Sequence, residues 1–377
     1  MILNRWYGRS PSRFPTVKRS TQISIIAALL IVLVVVPAVY YLVYLPSLPP
    51  PPLKKTNLGT IIPFSIGFWE YAYADYAGFY EEEGLEVEPI LTRSEVEQHQ
   101  ALVAGDLDFN INVGSSFGVG LRGAPVKIVL VTSRIVFALW TKSTITSIQD
   151  VKSVGMPPGG VGELMLREYC ARFGLEVDKD VVIRRMDLGA VPPALFSGQV
   201  DGGMLSASIG LNATSMGYHP LISLAEEYPD YYMMGLVTTD KMIAEKPEVV
   251  KGMVKAIYRS QVFILTHREE SIKYAVDVLK VNPEYAEYLY DWQYGGKYIG
   301  EVRLAEPGIP DMTYTMKMTA RDMGLAEMPA EQFTDRSFLD ETRRELGVSQ
   351  TILGFWQAET LDMIADRFVP VGSSKAN

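Results

Sequence analysis

The stretch Ala101-Leu102-Val103-Ala104-Gly105-Asp106-Leu107-Asp108-Phe109 has the form of a helix that stops at a glycine and turns into a buried strand. Glycine suits a left-handed helix cap, which residues with a side chain adopt only at a cost, and the acid that follows opens the turn. The same pattern returns at Ala194-Leu195-Phe196-Ser197-Gly198-Gln199-Val200-Asp201-Gly202. A helix-to-strand ending that occurs twice in one chain predicts two α/β lobes.

Outward from these two points, apolar strand-like stretches alternate with helix-length amphipathic ones. Residues 60–67, 86–91, 109–113 and 127–132 read as strands, and 76–82, 96–104 and 116–122 as helices. A second series begins near Ala138, with strands at 151–155, 181–186, 201–205 and 221–223 and helices at 163–173 and 192–197. From Pro247 onward the apolar residues Val250, Val254, Ile257 and Ile264 recur at helical spacing, and helical patterns at 271–279 and 284–291 complete a cover for the first lobe.

The 377 residues carry a formal charge of -9, but the charge is unevenly placed. No acid precedes Glu70, whereas Arg5, Arg9, Arg13, Lys18, Arg19, Lys54 and Lys55 lie before it. The chain after Lys55 therefore holds 28 basic residues (35 less these 7) against 44 acidic ones, a sum of -16. Such a surface is unsuited to the phosphates of a nucleic acid. Cys170 is the single cysteine, which excludes an intramolecular disulfide and a Cys-rich zinc site, and it reads as a small core residue on a helix. His99, His219 and His267 lie far apart, so no metal and no cofactor is expected.

Residues 23–45 are almost wholly apolar, long enough at about 1.5 Å per residue to cross a bilayer core of roughly 30 Å. Five basic residues before this run predict a cytoplasmic segment 1–22 and an outward-facing remainder. The run is longer than a signal-peptide core and no small-x-small site follows, so it is read as a retained single-pass anchor in the cell membrane. No cysteine is near enough for lipid attachment. A proline-rich linker, 46–57, then favours a stiff polyproline spacer. The chain contains neither a second apolar span nor G-x-x-x-x-G-K-[ST], so any permease and ATPase are separate chains.

Three segments together resemble the solute-binding proteins of the NMT1/THI5-like, sulfonate/nitrate/taurine-type ABC importers. These are the two helix endings above and Ala74-Asp75-Tyr76-Ala77-Gly78-Phe79-Tyr80-Glu81-Glu82-Glu83-Gly84-Leu85-Glu86-Val87. The resemblance covers about residues 61–346. It implies an α/β, type II periplasmic-binding-protein fold with two hinged lobes: 58–134 and 232–346 in lobe I, 135–231 in lobe II, and 347–377 as a C-terminal extension. The chain is expected to cross between lobes near 133–138 and 226–235.

In such a fold the cleft is lined by loops at the carboxyl ends of strands and by helix starts, where free N–H groups meet ligand oxygens. The first expected loop, 68–76, offers Trp69, Glu70, Tyr71, Tyr73 and Asp75, rings for stacking a flat ligand and carboxylates for accepting its N–H groups. The second offers Ser115 and Ser116 at a helix start, and the crossing offers Thr132 and Arg134. In lobe II the glycines Gly159, Gly160 and Gly162 let backbone approach a ligand, and Ser206 follows a strand. Methionines 312, 316, 318, 323 and 328 read as packing.

The implied function is capture of a small nutrient by hinge closure and its delivery to an ABC permease with its ATPase. The aromatic segment leans toward a heteroaromatic ligand such as a thiamine-precursor pyrimidine or a flavin. Sulfonate, nitrate or taurine is the alternative, and a ligand-sensing lobe for a signalling partner is a third reading. The resemblance also reaches pyrimidine-synthesising enzymes that use pyridoxal phosphate, but those carry a cysteine-rich motif that this chain lacks, so no enzyme is expected. The protein is expected to be a monomer.

Overall fold

The computed structural model describes residues 32–35, 39, 52–60, 69–92, 94–158, 161–294, 305–309 and 311–347. The chain divides after Pro52 into two units. In the first, Val32, Leu33, Val34, Val35 and Val39 are helical and exposed. No helix among the described residues is long and apolar enough to cross a membrane, and most of the expected span 23–45 lies outside them.

The second unit contains two sheets. Among the described residues the first has the order β11-β4-β10-β3-β1-β2. Its strands are β1 (Lys54–Thr60), β2 (Leu85–Leu91), β3 (Phe109–Asn112), β4 (Val126–Arg134), β10 (Tyr232–Thr239) and β11 (Ala305–Gly308). The second sheet has the order β7-β6-β8-β5-β9. It is built from β5 (Phe137–Lys142), β6 (Ser153–Met156), β7 (Val182–Arg185), β8 (Gly202–Ser206) and β9 (Tyr218–Ser223).

Helices α1 (Trp69–Tyr76), α2 (Phe79–Glu82), α3 (Glu95–Ala104) and α4 (Val113–Leu121) connect the strands of the first sheet. Helices α5 (Val161–Arg172), α6 (Val191–Phe196), α7 (Ala207–Ser215) and α8 (Leu224–Glu227) accompany the second. The chain then continues through α9 (Asp240–Glu245), α10 (Pro247–Thr266), α11 (Arg268–Asp277), α12 (Pro283–Gln293), α13 (Thr313–Asp322) and α14 (Ser337–Glu345). In α10, fourteen of twenty residues are buried, from Val249 to Ile264, which makes it a core helix against α1, α2 and α14.

The repeated ending does the same work in both sheets. Gly105 and Gly198 sit at φ +88° and +76°, and the aspartate three residues later turns back onto the neighbouring strand. Asp108 donates its N–H to Asn57 O at 3.0 Å and accepts from Asn57 N–H at 2.9 Å through Oδ2. Asp201 repeats this on Ser153, at 3.1 Å and 2.9 Å, and accepts from Lys152 N–H as well at 3.0 Å. Each aspartate thus satisfies strand groups that would otherwise be left open where the strand starts.

Several boundaries differ from expectation. The expected strand at 60–67 ends at Thr60, and residues 61–68 lie outside the described residues. That strand instead begins at Lys54, inside the expected linker, because its pairing with β2 from Lys54↔Leu85 onward satisfies the backbone despite a polar sequence. The expected helix at 76–82 is two, broken at Gly78 with φ +74°. Cys170 is buried on α5, and Met312, Met316 and Met318 are buried, whereas Met328 is exposed.

Candidate functional site

Two crossings position the site. The chain leaves the first sheet at Arg134 and enters the second at Phe137, and it returns between Ser223 and Tyr232. The crossing segments bond to one another, Ile135 N–H donating to Tyr231 O at 3.1 Å. Strands β1, β3 and β4 all end at one edge of the first sheet, where β10 starts opposite Arg134 and Asn112. In the second sheet β6, β7 and β8 end where β5 starts, Phe137 pairing with Ser206. The crossings therefore join the carboxyl edges of the two sheets, the edge at which open α/β sheets take ligands.

The aromatic stretch is a helix, α1, and not a loop, which corrects the expectation for residues 69–76. Six of its eight residues are buried, so the helix fills space between the first sheet and α10. Trp69 has no solvent contact and lies against Tyr290 and Tyr294, both with ring centres at 5.9 Å. Tyr73 stacks on Phe263 at 4.8 Å, a core contact, and Asp75 points to solvent near Glu81.

Glu70, Tyr71 and Thr132 come together. The Tyr71 hydroxyl donates to Gly235 O at 2.8 Å and lies 3.4 Å from Thr132 Oγ1. Glu70 accepts from the Tyr294 hydroxyl at 3.2 Å, and Thr132 stands close to its carboxyl. Burial pushes the Glu70 carboxyl up to about 6, against the pull of its own backbone N–H, Thr132 and Tyr294. Arg134 is buried at the end of β4 with its guanidinium 5.1 Å from the Tyr232 ring centre.

A second polar group occupies the junction of α3, β3 and α4. Helix α4 begins at Val113, so Ser115 and Ser116 lie in its first turn and not in a loop before it. The Ser116 hydroxyl donates to Asn112 O at 2.5 Å, which makes it a structural tie. Ser115 Oγ lies 2.9 Å from His99 Nε2, and His99 Nδ1 lies 3.1 Å from Asn110 Nδ2. The Asn112 amide donates to Gln98 Oε1. Burial lowers the His99 pKa to about 4, so the ring is neutral at physiological pH.

Glu95, at the start of α3, is exposed at its surface; the protein around its carboxyl raises its pKa, against the pull of the nearby Ser115 hydroxyl. Tyr231 from the returning crossing lies near both Glu95 and Asp322, and burial above all pushes its hydroxyl far up, so it stays protonated. Glu95, Gln98, His99, Asn110 and Asn112 were not among the expected site residues. Asn110 and Asn112 had a legible signal, since residues two apart on a strand share a face and two amides within an apolar strand need partners.

On the second sheet, Gly162 lies in the first turn of α5 and Ser206 is the N-cap of α7 at the end of β8. Gly159 and Gly160 lie outside the described residues. Glu163 beside Gly162 binds Arg185 at 2.6 Å and Arg167 at 2.7 Å; burial works against its charge, and the two guanidinium groups hold its pKa below the usual range.

The NMT1/THI5-like family model matches residues 66–271, more than half of the chain. The chain belongs to this family. A candidate binding protein of Brucella abortus is 28% identical over 247 residues, which is 61% of this chain and 76% of that one. Among solved structures, the periplasmic sulfonate-binding protein of a candidate sulfonate ABC transporter from Methylobacillus flagellatus aligns with a TM-score of 0.62 at 16% identity, covering 81% of this chain and 98% of the other. The periplasmic nitrate-binding protein NrtA of Synechocystis aligns with a TM-score of 0.61 at 14% identity, over 83% and 98%. These likenesses establish an α/β periplasmic-binding-protein fold for this chain. A desulfurization enzyme, DSZB, shares it with a TM-score of 0.56 at 14% identity, over 78% and 99%, so the fold serves both capture and catalysis.

Proposed function

We propose that this chain is an extracytoplasmic solute-binding protein that captures a small nutrient between the two sheets and delivers it to an ABC permease and ATPase on separate chains. The observation that carries this reading is the pair of carboxyl edges joined by two mutually bonded crossings, with Glu70 and Thr132 buried together at the first-sheet edge. Hinge motion at residues 134–137 and 223–232 would then couple ligand contact to closure. Residues 23–45 act as the anchor in this reading, with the domain after Pro52 outside the cell.

The buried Glu70 carboxyl at the first-sheet edge favours a ligand with N–H donors, such as an aminated heteroaromatic ring, over an anion. Capture without bond cleavage is favoured by His99: its Nε2 faces Ser115 while its low pKa makes it a poor base, unlike the histidine of a hydrolase. A second reading, capture of a sulfonate or nitrate, draws on the ligands named for the structural neighbours and on buried Arg134.

The test is a thermal-shift screen of the full chain in mild detergent against aminopyrimidines, thiamine, riboflavin, taurine, alkanesulfonates and nitrate. A rise in melting temperature with the heteroaromatic set supports the first reading and with the anions the second. No rise with any of them removes the nutrient-capture reading and favours a sensing lobe.

A further inference from the structure

Helix α13 touches both halves of the second unit. It packs against α4, which starts at the carboxyl edge of the first sheet, and against α5, which starts at that of the second. Toward the first sheet, Thr319 Oγ1 lies 3.2 Å from Gly114 O. Met323, just past the helix, lies so close to Gly118 that a Cβ added there would stand 2.2 Å from its sulfur. Toward the second sheet, Arg321 forms an ion pair with Glu168 of α5. Among the described residues this is the one ion pair that joins residues 135–231 to the rest of the unit.

The returning crossing is held by the same two helices. Thr315 of α13 is fully buried, and its hydroxyl accepts from Tyr232 N–H at 2.9 Å and donates to Asp230 O at 3.2 Å. At the other end of this short stretch the buried Tyr228 hydroxyl donates to Met165 O of α5 at 2.7 Å. Crossing, α13 and α5 thus close a triangle. Two of its sides are made by buried hydroxyls, and breaking them leaves polar groups without partners. The third side is solvated, with Arg321 64% and Glu168 23% exposed, and such a pair is weak and screened by salt. It is the side that gives first.

We propose that α13 is a strap that sets the angle between the two sheets, with Arg321–Glu168 as its salt-sensitive latch. While the pair is made, the triangle holds the sheets at the angle of this structure. When it is broken they swing about the crossing, with Thr315 and Tyr228 as the fixed points. The strap rests on the reading of the crossings as a hinge, and it works on the empty protein, so its test needs no ligand.

The test is the distance between two spin labels on the full chain in mild detergent, measured by pulsed electron resonance. Arg122→Cys and Ser143→Cys, in a Cys170→Ala background, place labels at exposed sites, each at the far end of an element that starts at the joined edges. At low salt the distribution is expected to be narrow. Glu168→Arg and Arg321→Glu should each broaden and shift it, and the two substitutions together should restore it by exchanging the charges. Salt at about 1 M, where the Debye length is about 3 Å, should broaden it in the unexchanged protein and add nothing in Glu168→Arg. Thr315→Val should broaden it with the ion pair intact, whereas Thr315→Ser, which keeps the hydroxyl, should not. A distribution unchanged in both single charge variants and at high salt, in chains that melt as the wild type does, overturns the strap. If a nutrient of the screen above still shifts the distance in such chains, capture by hinge closure stands without it. If none does, both readings fall.

Discussion

Trp140 on β5 stacks on Trp292 of α12, with ring centres 5.7 Å apart and planes 21° apart. The two residues belong to different halves of the second unit. Helix α12 is fastened to the first-sheet side by the Tyr290 hydroxyl, which donates to Ile264 O at 2.7 Å, and by Trp69 against Tyr290 and Tyr294. Residues 288 and 292 make one stripe and 290 and 294 another, and two residues turn a helix by about 200°, so the stripes lie on opposite faces. Helix α12 is thus an aromatic bridge between the two sheets.

Trp292→Ala should therefore do two things. Loss of a buried tryptophan lowers stability by roughly 3–5 kcal/mol, read as a lower melting temperature. Loss of the bridge also lets the sheets separate, read by X-ray scattering as a larger radius of gyration below the melting transition. A lower melting temperature with an unchanged radius would mean that the stack is core packing with no part in holding the halves together.

Glu70 gives the pH prediction. Its folded pKa, pushed up to about 6 by burial, lies above the ordinary 4.5, so between these values the folded protein holds more protons than the unfolded one. Stability then falls as pH rises through that window and stays reduced above it. Replacing the acid with a neutral amide removes the cost, so Glu70→Gln should gain up to about 2 kcal/mol at pH 7.5 and nothing at pH 4. Melting curves at the two pH values check this. A variant less stable at pH 7.5 than the wild type would show that the ionised carboxylate is favourably held.

The parts of the fold that could be read in the chain are those where one residue type is demanded by the backbone. Gly105 and Gly198 cap helices in the left-handed region, and the acids after them tie the turn to a strand. Helix α1 was hidden because its Trp, Tyr and Ala residues are buried on nearly all sides, so no polar face marks a period of 3.6. Strand β1 was hidden by Lys54, Lys55 and Asn57, which pair in a sheet yet read as spacer after a row of prolines. Strand β11 contains Pro307, tolerated because it lies at the sheet edge. At the site, Ser115 was legible from its place at a helix start. Its partners were not, because the contact between His99 on α3 and Ser115 on α4 exists only after β3 has brought the two helices side by side.

Cys170 provides a probe that needs no mutation. It is the single cysteine, fully buried on α5, and burial raises its thiol pKa to about 11. The thiolate is the reactive form, so at pH 8 the native protein should resist a maleimide for hours and label within minutes in strong denaturant. Rapid labelling under native conditions would place α5 in a loosely held region.

The repeated aspartates allow a matched pair of experiments. Asp201 accepts from Lys152 N–H, Ser153 N–H and the Ser153 hydroxyl at 2.9–3.0 Å, all through Oδ2. Asp108 accepts from Asn57 N–H through Oδ2 and from Lys246 Nζ at 3.3 Å, the latter across a half-exposed pair of small worth. Truncating either side chain leaves strand N–H groups without their acceptor, but Asp201 serves two such groups and Asp108 one. With each charge-assisted bond worth about 1.5 kcal/mol, Asp201→Ala should lose roughly 3 kcal/mol and Asp108→Ala roughly half that, measured by urea titration. Asn in place of Asp201 keeps an acceptor oxygen and should recover a large share. Equal losses at the two positions would mean that the turn's own backbone bond, which both variants retain, and not the carboxylate, sets the stability of the helix-to-strand ending.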